Sequence, residues 1–535
     1  MLRCHKTVTK LSLSCHFTFI FLLKLFDNTQ ELKQNMKISK LTLAIATILG
    51  AGAASSAFAM ELYVDTKTKQ IYAEPGPRRQ LMGNFERVGD SPVKTVDNSE
   101  KADKAEIKAI REDLELKQNE IKALEEHVVA TREEKAKNDE KWFNKINMRG
   151  YTQLRYNQPL SGDRVSGNPE LKSVGDSGIK NNSGFSFRRV RLVFSGDINE
   201  YVSLYLQPDF ASNVSDSQQH FAQLRDAYAD LAFDKKHEYR IRAGQSKVPF
   251  GWENLQSSQN RLALDRNDAL NSAVPSERDL GLFAYWTPDH VQKLWKDLAK
   301  KGLKTSGDYG IAGIGVYNGQ GVNRAETNDD LYMVAHTSYP VELNFLGYPF
   351  SGQVLEVGAD AITGQFDTTV GSSAVFGRTN NVQVNPISTG STREDRVGVH
   401  AILFPQPFGL QGEWNWGKGA TLNADANGGK GAIERQDLRG GYVQASYKID
   451  KIFRPDGVLI PYAKWQTYRG AWKGATNAPR VAVDEIEVGL EYQMMKALEL
   501  TLAYSTMDRT NTSTGSNYLG QASGDLGRVQ LQWNY

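Results

Sequence analysis

Gly527-Arg528-Val529-Gln530-Leu531-Gln532-Trp533-Asn534-Tyr535 is the stretch that decides the fold. Apolar residues and glycine alternate with Arg528, Gln530, Gln532 and Asn534, so the period is two. On a β-strand that period places the two sets on opposite faces. A soluble sheet shows this pattern with the apolar face on a core. A strand of a membrane β-barrel shows it with the apolar face on lipid and the polar face on a wet lumen.

Residues 36–59 favour the barrel. Met36, Lys37 and Lys40 form a basic start, Leu41 to Ala54 a short apolar run, and Ala57-Phe58-Ala59 a small-x-small cleavage site. This order predicts a secretory signal peptide, with Met36 as the true start and residues 1–35 as a mis-annotated leader. The apolar run is too short for a spanning helix. Both cysteines, Cys4 and Cys15, precede the cleavage site, so neither a disulfide nor thiolate chemistry is expected after processing. Residues 1–59 carry seven Lys/Arg and two Asp/Glu, which leaves 57 basic and 60 acidic residues in the processed chain. Without a basic excess, nucleic acid is not an expected partner. A mean hydropathy of −0.49 is ordinary for a barrel, in which only alternate strand residues meet lipid. The aromatic last residue resembles the closing strand that outer-membrane proteins present to their assembly machinery.

Residues 60–98 read as a linker or a small hairpin, with Tyr63-Val64 opposite Ile71-Tyr72. Residues 100–139 contain no Gly or Pro, and Ile107, Leu114, Ile121 and Val128 recur every seven positions. Ile110, Lys117, Leu124 and Thr131 occupy the complementary seam. This predicts a periplasmic α-helical coiled coil about 60 Å long at ~1.5 Å per residue. A helix so polar all round gains its stability by self-association. Isoleucine in both seams leans toward a trimer.

Residues 145–535 alternate in segments of about ten residues between turn-rich connections. Strand cores are expected near Ile146, Phe187, Val202, Ala227, Tyr239, Leu280, Ile311 and Leu331. Others are expected near Leu355, Val397, Leu410, Gly441, Leu459, Ile486, Leu498 and Gly527. The fold class is therefore all-β, a transmembrane antiparallel barrel of about 16 strands preceded by the helix. A barrel of that size leaves an aqueous channel. Gly196 to Glu200 and Pro405 to Pro407 read as short periplasmic turns. Residues 157–184, 247–278 and 367–395 read as long outer loops.

Alternation also sorts the charges. Arg149, Arg155, Arg189, Arg191, Arg240, Arg242 and Arg528 fall on lumenal positions along one arc. Glu356, Asp360, Glu413, Glu485, Glu487 and Glu491 fall on lumenal positions opposite. Such charges either set up a transverse field across the pore or pair with one another. Arg188, on the lipid-facing set, is expected at the outer rim, where an arginine costs little.

Phe187-Arg188-Arg189-Val190-Arg191-Leu192 with Gly196, and the run Gly244 to Glu253 (GQSKVPFGWE), resemble motifs of the phosphate-selective porin O and P family. Arg278-Asp279-Leu280-Gly281 and Tyr317-Asn318-Gly319-Gln320-Gly321 add to the resemblance, which covers residues 145–535. The family implies trimeric sixteen-stranded barrels whose third loop folds inward. The matching loop here runs from Lys247 to Arg278. Its candidate solute contacts are Lys247, Arg261, Arg266 and Arg278, interspersed with Glu253, Asp265, Asp268 and Glu277. Arginines suit anionic oxygens through planar, charge-assisted donors. The implied function is passive diffusion of small hydrophilic solutes and ions, with anions such as phosphate favoured. The implied setting is a homotrimer in outer-membrane lipid and lipopolysaccharide.

Catalysis lacks a motif. The eight histidines show no HExxH spacing, and no G-x-S-x-G or Gly-rich phosphate loop is present, so no metal or cofactor is expected. A lumenal His400 beside a serine can mimic an outer-membrane hydrolase. An envelope-tethering barrel is the other alternative, carried by the heptads.

Overall fold

Asn534 of the closing strand pairs with Tyr151 of the first, Gln532 with Gln153 and Arg528 with Asn157, in antiparallel register. The stretch from Gly527 to Tyr535 is thus the seam of a closed sheet. A computed structural model describes residues 60–65, 71–72, 74–85, 99–139, 141–162, 171, 179, 183–212, 221–368, 391–423, 426, 432–473, 478–511 and 521–535. The expected leader and signal peptide lie outside them.

The chain divides into two units, Met1–Ile121 and Lys122–Tyr535. In the first, Met60–Asp65 pairs with Ile71–Tyr72 and with Arg79–Phe85. Tyr63 lies opposite Tyr72 and Val64 opposite Ile71, and the third strand turns this hairpin into a small sheet. The boundary between units falls within helix α1 (Ser99–Asp139).

The second unit is a closed antiparallel barrel. Its first eight strands are β1 (Asn147–Gly162), β2 (Gly184–Asp197), β3 (Val202–Ser212), β4 (Phe221–Ala232), β5 (Tyr239–Lys247), β6 (Arg278–Trp286), β7 (Ala312–Tyr317) and β8 (Tyr332–Glu342). Then follow β9 (Val354–Asp367), β10 (Ser391–Leu403), β11 (Phe408–Asn423), β12 (Ala432–Tyr447), β13 (Val458–Ala471), β14 (Arg480–Met495), β15 (Leu498–Asn511) and β16 (Gln521–Asn534). Ile449–Asp450 prolongs β12 past Lys448 along the same neighbour. Each of the sixteen expected strand cores falls within a strand or one residue before it. Closure leaves no sheet edge unpaired, the condition for a sheet in hydrocarbon.

Leu282, Ile314, Met333, Val397, Ile486 and Val488 point outward and are exposed, as a lipid-facing belt requires. The inward face is less uniform than alternation implies. In β6 to β9, Phe283, Tyr285, Tyr317, Tyr332, Val334 and Ile362 are apolar or aromatic and buried. Where these residues lie, both faces of the wall are apolar because a loop packs against it from inside.

One connection departs from the short turns expected at the end where the strands begin and close. Between β6 and β7, residues 287–311 carry helix α2 (Asp289–Lys300). Val291, Trp295 and Leu298 lie along its buried stripe, and Lys293 and Lys300 pair outward at its exposed face. Trp295, Leu298 and Leu303 pack with Trp252, Ile402 and Phe404 inside the barrel. Lys304 then reaches Glu491 of β14 at 2.7 Å and Glu499 of β15 at 3.4 Å, so the segment crosses that mouth to the far wall.

Candidate functional site

The connection from β5 to β6, residues 248–277, folds into the lumen, and its residues are nearly all buried. Its sequence explains the inward course. Val248, Phe250, Leu270, Ala273 and Val274 form an apolar underside that meets the aromatic wall of β6 to β9. Gly251, at φ +84°, makes the bend, and a side chain there would strike Leu270 and Glu413.

Wall carboxylates receive the backbone at that bend. Gly251 N–H donates to Asp360 at 3.0 Å, and Trp252 and Glu253 N–H donate to Glu413 at 2.7 and 3.1 Å. Glu253 pairs with Lys464 of β13, and Asp268 with Arg509 of β15. Asp265 is shared by Arg528 at 2.5 Å, Arg155 at 3.3 Å and Arg188 at 3.9 Å. Burial opposes ionisation of Asp265, but Arg155 and Arg528 outweigh it and hold the carboxyl well below its usual range.

A second carboxylate, Glu277, gathers Arg261 at 2.6 Å, Arg266 at 3.1 Å, Arg225 at 3.8 Å and Arg278. Against burial, these arginines and Lys247 keep Glu277 ionised far below the ordinary carboxylate range. Burial brings the Arg266 guanidinium down to about 10. Arg278 also bonds Asp226 at 2.9 Å, and Arg191 bonds Asp209 at 2.7 Å. Arg189 donates to Gln153 and lies within electrostatic reach of Arg188, Arg191 and Arg261. Among the described residues, seven cations (Arg189, Arg191, Arg225, Lys247, Arg261, Arg266, Arg278) thus gather around three carboxylates (Asp209, Asp226, Glu277), with Arg189 and Lys247 bonded to neutral groups. The buried Nε atoms of Arg189, Arg225 and Arg261 have no hydrogen-bond partner among the described residues.

Several expectations need correction. Arg188 is not at a lipid-facing rim. The β1–β2 register slips between Gln153 and Leu154, so Arg188 is the extra residue of a bulge and turns toward Asp265. The β3–β4 register slips likewise between Gln207 and Pro208, which frees Arg225 to reach the Ser276 carbonyl at 2.9 Å. Arg225 was missed by alternation because the slip breaks the period. Lys247 does not face solute: its ammonium donates to the carbonyls of Asn254, Leu255 and Gln256 at 3.1, 3.1 and 2.7 Å.

The acidic residues do not form an open arc. Glu485 pairs with Arg509, Glu487 with Arg528, and Glu491 with Lys304. Glu356 accepts from Ser338, and Asp360 and Glu413 are committed to the loop backbone. Arg240 and Arg242 are likewise engaged, by Asp308 and Asp230, each at a closest distance of 2.8 and 2.7 Å. Arg149, near the start of β1, is exposed.

The suspected serine neighbour of His400 is Ser338, at 3.1 Å from Nε2. Its hydroxyl proton goes to Glu356 at 2.6 Å, so Ser338 accepts from His400 Nε2–H. A serine nucleophile needs the opposite tautomer, with Nε2 free to take its proton. Asp360 stands 3.7 Å from His400 Nδ1, beyond hydrogen-bond range. The trio has the residues of a hydrolase without its proton path.

The family profile described as phosphate-selective porin O and P matches residues 171–535. No curated protein matches the chain. Among solved structures, the outer-membrane channel DcaP of Acinetobacter baumannii is similar at 13% identity, with 73% of this chain and 97% of that one covered and a TM-score of 0.43. The anion-selective porin from Comamonas acidovorans is similar at 11% identity, covering 73% and 99%, with a TM-score of 0.42. OmpF of Salmonella typhi in complex with daunomycin is similar at 15% identity, covering 73% and 97%, with a TM-score of 0.44.

Proposed function

Because the chain belongs to the phosphate-selective porin O and P family, we propose that its constriction favours small anions, phosphate among them. The protein is a porin of the bacterial outer membrane, and solutes cross it by passive diffusion. The anion preference is carried by one observation: seven cations meet three carboxylates beside the inward loop, with guanidinium Nε atoms left unbonded. Buried charge is stable only when paired or hydrogen-bonded. The excess positive charge beside the loop attracts anions from solution. Their oxygens exchange water for planar guanidinium donors on entry, and binding stays weak enough for release.

The preceding helix extends this reading. Ile107, Leu114, Ile121 and Val128 are 45% to 56% exposed on the single chain, a waste of apolar surface unless other copies cover it. A parallel coiled coil of three chains in the periplasm would cover them, and a homotrimer in outer-membrane lipid and lipopolysaccharide is the assembly that fits. The same helix supports an envelope tether as the second reading.

Single-channel current in planar bilayers, with phosphate titrated into chloride, tests the preference. Block of chloride current at low phosphate is the expected result. Indifference to phosphate leaves a general porin, and no conductance at all favours the tether.

A further inference from the structure

Four adjacent strands, β8 to β11, bring His336, Ser338, Glu356, Asp360, His400 and Glu413 together on the lumenal wall. His336 lies directly opposite Asp360, and His400 opposite Glu413. Gly358 faces His400 across the ladder, and a side chain there would collide with the ring. All six residues are between 1% and 6% exposed. Among the described residues, no lysine or arginine pairs with any of the three carboxylates; their only cationic candidates are the histidines.

The hydrogen bonds fix the His400 tautomer. Ser338 spends its proton on Glu356 and therefore accepts from His400 Nε2–H. Neutral His400 then holds a bare lone pair on Nδ1, which is buried and has no hydrogen-bond partner among the described residues. That lone pair faces Asp360 Oδ2 at 3.7 Å. Lone pair against carboxylate is repulsive unless a cation lies between them. One donor atom from each of Asp360, His400 and Glu413 lies within 4.8 Å of the other two.

We propose that His400 Nδ1, Asp360 and Glu413 form a divalent-metal site of the kind that takes Zn²⁺ or Co²⁺. One imidazole nitrogen and two carboxylate oxygens suit these borderline ions, at roughly 2.0–2.2 Å from each donor. His336 holds the other oxygen of Asp360, and Ser338 holds the far side of the His400 ring; such partners orient ligands and raise affinity. The metal also has a consequence for the channel. Asp360 and Glu413 carry the backbone of Gly251, Trp252 and Glu253, so an ion bound there stiffens the root of the inward loop.

The test uses the full-length protein, folded and stripped with a chelator, and titrated with Co²⁺ while its visible absorption is followed. Native protein is expected to take up about one equivalent per chain. In His400→Gln and Glu413→Gln, shown to be folded by heat-modifiable mobility, affinity should fall more than about tenfold. X-ray absorption of Zn²⁺-loaded native protein needs no variant, and should show mixed nitrogen and oxygen donors at about 2.0–2.2 Å. No stoichiometric uptake by folded native protein would overturn the proposal, and a protonated His400 would then be the cation. Uptake unchanged in folded His400→Gln, or an all-oxygen coordination shell, would overturn it equally.

Discussion

The two sides of the lumen hold the same loop by opposite means. Toward β8 to β11, wall carboxylates receive neutral backbone N–H groups of Gly251 to Glu253, and an apolar underside packs beneath. Toward β16 and β1 to β6, arginines crowd around two loop carboxylates, Asp265 and Glu277. The first side fixes where the loop lies, because each contact is one donor to one acceptor in a dry setting. The second side fixes the sign of the opening, because more cations than carboxylates are present. A porin can therefore alter selectivity on one side without moving the constriction from the other.

The largest effect should come from Lys464→Met. It leaves the buried Glu253 carboxylate without its ammonium partner, and losing one partner of a buried pair costs about 3–5 kcal/mol. The expected outcome is a lower unfolding temperature together with larger, noisier single-channel current. Native values of both would break the claim that wall contacts at the Gly251–Glu253 bend set the geometry.

Glu413→Ala, in chelator-treated protein, orphans two buried backbone donors at about 1–3 kcal/mol each. Glu413→Gln keeps an acceptor oxygen and should fall between the native protein and the alanine variant. The order of their unfolding temperatures checks this; a glutamine variant as weak as alanine would contradict it.

Arg261→Gln should cost less, at or below the ~1.5 kcal/mol low end for a hydrogen bond to a charged group. Arg266 and Arg278 still hold Glu277. Chloride current, in contrast, should drop with at most a small fall in unfolding temperature. A large stability loss would move Arg261 to the geometric side of the comparison.

The smallest effect concerns pH. Asp265, Glu253 and Glu277 are all held below ordinary carboxylate values. A lowered folded-state value stabilises above the unfolded pKa, ~4, and the benefit is lost as pH falls through the folded value. The contribution of these three groups should therefore be level from pH 7 to about 5 and decline only below about 4. Loop opening that tracked their protonation above pH 5, read from conductance in the His400→Gln background, would refute this.

Much of the barrel was legible because lipid on one side and water on the other impose a period of two. The strands near Phe187, Ile486 and Gly527 could be placed from that alone. The same rule failed where the backbone slips: bulges at Arg188 and Arg225 each add a lumenal arginine that alternation assigns elsewhere or misses. It also failed for residues 287–311, whose amphipathic helix breaks the pattern of short turns. A legible clue went unread in β6 and β7, where Phe283, Tyr285 and Tyr317 make the inner face apolar. An aromatic inner face signals an element packed inside. Pairing between Arg528 and Glu487, or Ser338 and His400, depends on barrel closure and register, which no local pattern contains.

The most direct test is the reversal potential under a chloride gradient for two variants of equal charge change per substituted site. In Arg189→Gln with Arg225→Gln and Arg261→Gln, the potential should move toward the cation-selective side. In Asp360→Asn with Glu413→Gln, it should stay near the native value even if current rises. Equal and opposite shifts in the two variants, or no shift in the first, would contradict a lumen that divides position from charge.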